Sequence, residues 1–336
     1  CLTAMASGLF LVGTDRDVPG RGATASAVDS IALGSDASAS GVSAVSLGTG
    51  SGATQSAGIA VGLNSSVTAQ RGIAIGADSG DPNAIGASAT GLDSVALGSD
   101  ATAANTSTVA IGDAAFADGG SAISLGNQST ASGSVDIAIG SRATTVNSNG
   151  QTSGNIVIGG ADTPFGAPVT LAIANGGNAT AVGIGAQATG ANSLALGSLS
   201  KATNQATIAL GSGAQALGTR SSAVGPSVTA GGAFSSAFGD SAAASGDSSV
   251  AIGVGAATNT AATGSVAVGR AAGALGVNAV SIGNGSIATQ SAATALGSGS
   301  RATGRVGIAI GGDVPDEFLF SDNDSLGAQA TANRSI

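Results

Sequence analysis

Asp93-Ser94-Val95-Ala96-Leu97-Gly98-Ser99-Asp100-Ala101-Thr102-Ala103-Ala104-Asn105-Thr106-Ser107-Thr108-Val109-Ala110-Ile111-Gly112 is the stretch from which the rest of the chain can be read. An apolar triplet ending in glycine, Val95-Ala96-Leu97-Gly98, returns 14 residues later as Val109-Ala110-Ile111-Gly112. Outward from there the string recurs before Gly34, Gly48, Gly62, Gly76, Gly86, Gly126, Gly140 and Gly159. It continues before Gly185, Gly197, Gly211, Gly225, Gly239, Gly253, Gly269, Gly283, Gly297, Gly311 and, weakly, Gly327, with Leu171-Ala172-Ile173-Ala174 as a degenerate copy. These 22 anchors define 21 intervals, and 13 of the intervals are 14 residues long. Seven residues past the anchor, glycine or asparagine stands in 10 of the 13 regular units, as at Gly41, Asn105 and Gly218. Both types tolerate positive φ, so a second turn is expected at that midpoint.

Two turns leave about five residues between them, too few for a useful helix and suited to a short strand. Each unit therefore reads as one coil of a solenoid: strand, turn, strand, turn. Stacking the coils pairs each strand with its counterpart in the next, giving two parallel sheets. Val95 and Leu97 share one face and Ala96 takes the other, because side chains alternate along a strand. Either set can line the roll, with the remaining set left on the outside. If the larger set is outside, it forms an apolar stripe that calls for self-association. At one strand spacing per coil, about 22 coils make a rod of about 100 Å. Residues 1–19 read as a leading segment and 20–336 as the roll. The register slips at 77–97, 141–184 and 312–326, where extra residues form loops that either bind a partner or are tolerated length variation.

Composition agrees with a roll of small residues. Among 336 residues there are 57 glycines and seven phenylalanines, with no tryptophan, tyrosine or histidine. Apolar residues still make up 43%, too many for a disordered linker, and six prolines cannot support a collagen repeat. Without histidine there is no imidazole base or ligand, and the single cysteine, Cys1, forms no intrachain disulfide or cysteine zinc site. Net charge is −9, with 12 acids and 4 bases in residues 1–168 against 7 and 6 in 169–336. Nucleic acid is not an expected partner, since that would need a basic face with aromatic platforms. No catalytic, cofactor-binding or metal-ligating residues are expected. The acids Asp313, Asp316, Glu317, Asp322 and Asp324 lack the pattern of a calcium loop. The G-x-G-x-x-A strings precede no helix that could bind phosphate.

Asn192-Ser193-Leu194-Ala195-Leu196-Gly197-Ser198-Leu199-Ser200 resembles the head repeat of YadA-like trimeric autotransporter adhesins, of form N-S-V-A-I-G-x-x-S. Asp93-Ser94-Val95-Ala96-Leu97-Gly98 and Ser248-Ser249-Val250-Ala251-Ile252-Gly253 are near copies. The resemblance runs over nearly the whole chain. It implies an all-β, left-handed parallel β-roll with three chains side by side as a homotrimer, carried on the outer membrane of a Gram-negative bacterium. It also implies adhesion to host cells or to matrix proteins such as collagen, and bacterial autoaggregation. In the family this motif is associated with collagen binding, which transfers to Asn192, Ser193, Leu194, Ala195, Leu196, Gly197 and Ser200. The fold itself needs those same residues for turn, strand and turn.

No heptad stalk, neck or set of membrane-barrel strands is found, so the chain reads as a fragment that does not itself span the membrane, with its anchor in a missing C-terminal region. Two other functions remain. One is a passive spacer projecting a tip held elsewhere. The other is an ice-binding solenoid, whose threonine ladder (Thr102, Thr130, Thr229) is interrupted by Ser38, Phe116, Lys201 and Ala243.

Overall fold

The computed structural model describes residues 10–12, 22–80, 85–146, 154–161, 170–312 and 327–335. The described residues form 40 short strands and no helix, from β1 (Phe10–Val12) to β40 (Gln329–Ala330). They fall in two compact units, Cys1–Asn178 and Ala179–Ile336. Each unit is a parallel β-solenoid. Odd-numbered strands, mostly of three residues, build the first sheet, and even-numbered strands of two residues build the second. In the first unit β11 (Val95–Leu97) pairs with β13 (Val109–Ile111), Val95 opposite Val109, Ala96 opposite Ala110 and Leu97 opposite Ile111. The chain crosses between them through β12 (Thr102–Ala103), which pairs with β14 (Phe116–Ala117). The second unit repeats this: β23 (Leu194–Leu196) pairs with β25 (Ile208–Leu210), and β24 (Lys201–Ala202) with β26 (Gln215–Ala216).

The small side chains line the interior. Ala96 and Ala195, central in their strands, are fully buried, as are Ala101 and Ala103 from the facing second-sheet segment. Two sheets joined by such short turns leave no room for larger groups, so Val95 and Leu97 turn outward. At Val67 a larger side chain enters and glycines stand beside it. Val67 occupies an alanine position, and a Cβ at Gly58 or Gly72 would lie 3.0 or 2.8 Å from its Cγ1. Hydroxyls at the central position of first-sheet strands come in satisfied pairs, whereas the Oγ atoms of Ser193, Ser221 and Ser235, each just before a first-sheet strand, are buried without a partner among the described residues. Ser46 bonds Ser51 at 2.7 Å and Ser51 donates to the Gly48 carbonyl; Ser124 with Ser129 and Ser281 with Ser286 repeat the arrangement. A buried hydroxyl left unpaired would cost stability, which explains why the central serines arrive with a partner.

Nineteen anchor glycines take φ between 117° and 154°, a region closed to residues with a Cβ. At Gly98 a Cβ would also lie 2.4 Å from the carbonyl oxygen of Gly112, its equivalent one coil on. The turn that follows closes with Ala101 N–H donating to the Gly98 carbonyl, and its third residue, Asp100, sits at φ 54°.

The second turn corrects one expectation. The midpoint glycine is not the residue with positive φ; that conformation falls two positions later, on Ser107 and Ala206 and even on Phe234. Glycine is required at the midpoint by close stacking, since a Cβ on Gly218 would lie 1.9 Å from the Gly232 oxygen. Where asparagine stands there instead, its amide donates across to the next coil, Asn204 to the Leu217 carbonyl at 2.5 Å.

The strand pairing also revises the coil count to about 19. Ile73–Ile75 pairs directly with Val95–Leu97, so the 22 residues from Gly76 to Gly98 are one coil with an insertion, and Gly86 is no anchor. Ile173-Ala174 pairs with Thr144-Thr145 and is a second-sheet strand, not a degenerate first-sheet string. The anchor assigned to Gly185 belongs to Gly183, which has φ 132° and follows Thr180–Val182. Gln329–Ala330 pairs with Arg301–Ala302 in the second sheet, so Gly327 is not an anchor either. At the other end the first sheet begins at Phe10–Val12, which pairs with Ile31–Leu33.

Candidate interaction surface

Pairing in register stacks equivalent side chains into columns, and the outward columns are where a partner could meet the roll. On the first sheet there are two, set by the first and third residues of each strand. In the first unit, from Ile31 and Leu33 to Ile156 and Ile158, every member is valine, isoleucine or leucine. In the second unit the third-residue column stays apolar, through Val182, Leu196, Leu210 and Phe238 to Ile310. The first-residue column admits Thr180, Ser222, Ser236 and Thr294. No charged residue occurs in either column between Ile31 and Ile310. These large side chains are half-buried or exposed on the single chain, Leu33 at 43% and Leu196 at 44%.

The second sheet presents a different face. Its outward column runs Thr102, Phe116, Thr130 and Thr144 in the first unit and Lys201, Gln215, Thr229 and Ala243 in the second. It is polar and irregular, and the threonine ladder an ice-binding surface needs is broken.

Along the turn edges, residues one coil apart meet. Arg71 donates through both Nε and an Nη to the Asp93 carboxylate, the second bond at 2.7 Å. That hydrogen bonding, aided by the opposite charge, holds the Asp93 carboxyl below the usual carboxylate range. Arg220 lies 5.8 Å from the centre of the Phe234 ring. Asn64 donates to Asp78 at 3.1 Å, and Asn127 to Asp113 at 2.8 Å. Sequence reasoning missed these pairs, although the 14-residue spacing of Arg220 with Phe234, Asn64 with Asp78 and Asp113 with Asn127 carried the signal.

The motif residues separate by role. Ser193, Ala195 and Ser200 are buried, and Ser200 donates to the Gly197 carbonyl at 2.8 Å. Gly197 makes the turn at φ 130°, and Asn192 sits at φ 55°. Asn192, Leu194 and Leu196 reach the surface, the leucines on the apolar face. No group of three or more acids, histidines or cysteines that could hold a metal occurs among the described residues. The acids at 313–324 lie outside the described residues. Asp136 is buried and accepts N–H bonds from Gly133, Gly154 and Asn155 at 2.8–3.0 Å, so its carboxylate braces the coil rather than facing a substrate.

Each unit is a solenoid with an alanine interior and an uncharged, largely apolar outer face on its first sheet. The chain belongs to the YadA head domain family. The model of the YadA head domain repeat (2 copies) matches residues 20–37, 25–51, 53–79, 89–115, 117–143, 174–200, 202–227, 230–256, 261–286 and 274–300, together more than half of the chain. The family is an adhesin-type structural one, the head of trimeric autotransporter adhesins. The gaps between matches at 80–88 and 144–173 coincide with coils that carry insertions. A search of the curated proteins finds no match to the chain.

Proposed function

We propose that three copies of this chain pack side by side through their first-sheet faces and act as an adhesive head on the surface of a Gram-negative bacterium, held by an outer-membrane anchor elsewhere in the protein. The observation that carries this reading is the uncharged apolar third-residue column of the first sheet, from Leu33 to Ile158 in the first unit and from Val182 to Ile310 in the second. At about 4.8 Å per coil and ~8 Å of width, each unit of about ten coils offers roughly 400 Å² of such surface, about half of one partner's share of a stable interface. With that face covered, the second sheet and the turn edges are left to contact host cells, matrix proteins such as collagen, or the heads of neighbouring bacteria.

Within the 192–200 motif, Leu194 and Leu196 then serve assembly, and Asn192 is the side chain left for a ligand. Binding by this head is distributed: weak contacts per coil, multiplied over coils and over three chains. The irregular outward column of the second sheet favours a second reading, a passive spacer, because no coil stands out as a dedicated site.

Light scattering on the purified chain should give three times the chain mass, and a monomer would refute the assembly. Bacteria displaying the chain with coils removed in pairs, so that the register is kept, should lose adhesion to matrix-coated surfaces stepwise. Adhesion independent of coil number would identify the spacer.

A further inference from the structure

Between Ile31 and Ile310 the two outward columns of the first sheet hold a single aromatic side chain among the described residues, Phe238 at the end of β29 (Ser236–Phe238). The first-residue column admits hydroxyl side chains singly at Thr180 and Thr294, and in two consecutive coils at one place, Ser222 and Ser236. These exceptions fall together. Ser222 lies opposite Ser236 and Val224 opposite Phe238, and Ile208 and Val250 border the two serines in the coils before and after. Ile208 and Val250 are three strand spacings apart, about 14 Å, so the serines leave a notch in the column with room for an aromatic ring. Phe238 is itself 39% exposed. Strand pairing keeps the same register here as in the other coils, so the fold of a single chain does not call for the smallest and the largest residues of the face at one height.

A second copy does. With the first-sheet faces turned to a common axis, one edge of each face adjoins the opposite edge of the next. Rotation about an axis parallel to the roll leaves every residue at its own height, so the third-residue column of one copy meets the first-residue column of its neighbour with Phe238 level with Ser236. Over most of their length these columns are valine, isoleucine and leucine repeated in every coil, and a slip by one coil would exchange like for like. The apolar face of one unit, about half of one partner's share of a stable interface, leaves little margin to resist that slip. A ring that fits one gap forbids it.

We propose that in the side-by-side trimer the Phe238 ring of each copy seats in the notch at Ser222 and Ser236 of the next copy and sets the axial register of the three rolls. The inference rests on the assembly proposed for this chain. Keeping the copies level is also what closes three heterologous contacts into a ring instead of an open filament.

The test is disulfide trapping in the full chain carrying Cys1→Ser. In the Ser222→Cys/Phe238→Cys variant the two positions of one chain are about 8 Å apart, too far to bridge each other. Mild oxidation should therefore join copies into a covalent species of three chain masses on a non-reducing gel. Ser222→Cys/Ile310→Cys uses the same two columns six coils apart and should give no such product. Phe238→Ala removes the ring and Ser236→Leu fills the notch. Both should keep their sheet signal in circular dichroism, and each should raise the dissociation constant of the trimer about tenfold or more. A trimer by light scattering without the Ser222→Cys/Phe238→Cys product, equal product in the six-coil control, or an unchanged dissociation constant in either Phe238→Ala or Ser236→Leu would overturn the notch while leaving the assembly standing. A monomer by light scattering would overturn both.

Discussion

The two sides of the first sheet lie one residue apart in the chain and have opposite requirements. Ala195 is fully buried between the sheets, whereas Leu196, the next residue, is 44% exposed on a face that carries no charge over the whole ladder. The inner side is lined almost throughout by alanine, and the serines that replace it, such as Ser46, are paired through their hydroxyls. On the outer side size varies freely, from Ser222 to Phe238, but charge never appears. The contrast separates what folds the coil from what, in the proposed assembly, would join copies: volume governs the inside, and polarity governs the outside.

Substitutions at these neighbours should break the molecule in different ways. Ala195→Leu adds three carbons where backbone and alanine Cβ atoms already fill the space. It should cost ~3 kcal/mol or more, at the upper end of what overpacking does. In a solenoid that cost concentrates in one coil and its neighbours, so a lowered denaturation midpoint together with local loss of amide protection is the expected reading. A variant as stable as the parent would mean the interior is looser than its burial implies.

Leu196→Asp should spare the coil and break the assembly. Its side chain has access to water on the single chain, so the monomer keeps its sheet signal. In a packed trimer the same carboxylate would be buried without a partner. Light scattering should fall from three chain masses toward one; a trimer that survives would show that this face is solvated.

How much of this was legible in the sequence follows from the same two sides. The 14-residue string of the Val95–Gly112 stretch gave the coil, its two strands and its parallel pairing, because each coil meets the same packing problem and solves it with the same residues. Which side faced inward was not legible, since alternation defines two faces without ranking them; the ranking comes from how closely short turns force the sheets together.

The misplaced anchors have a local cause. Leu171-Ala172-Ile173-Ala174 ends an apolar run much as a first strand does, and the insertion before it removes the spacing that would have told them apart. Alanines two apart, Ala172 with Ala174 and Ala328 with Ala330, are a second-strand pattern that separates these two segments from first strands. Of the candidate motif, sequence identified the residues but not their division into buried Ser193, Ala195 and Ser200 and outward Asn192, Leu194 and Leu196. Contacts such as Arg71 with Asp93 were invisible to a fixed repeat because their coil is 22 residues long.

That last pair sits on the turn edge, outside both the volume rule of the interior and the charge rule of the face, and it should matter least. Asp93 carries a folded-state pKa lowered by its hydrogen bonds from Arg71. A lowered carboxylate pKa contributes stability that is present above the unfolded value of about 3.9 and is lost as pH falls through the folded value. Both side chains are well exposed, so water and salt screen the contribution. Asn suits the positive φ of 57° at this position, so Asp93→Asn removes the charge without straining the turn. Comparing thermal midpoints of the two proteins across pH, Asp93→Asn should be slightly less stable at pH 7, with the gap narrowing once the solution is acidified past the carboxylate range and shrinking in high salt. A gap that stays constant with pH would mean the difference arises from the turn rather than from the ion pair. A gap rivalling that of Ala195→Leu would mean the edges hold the coils together as firmly as the interior does.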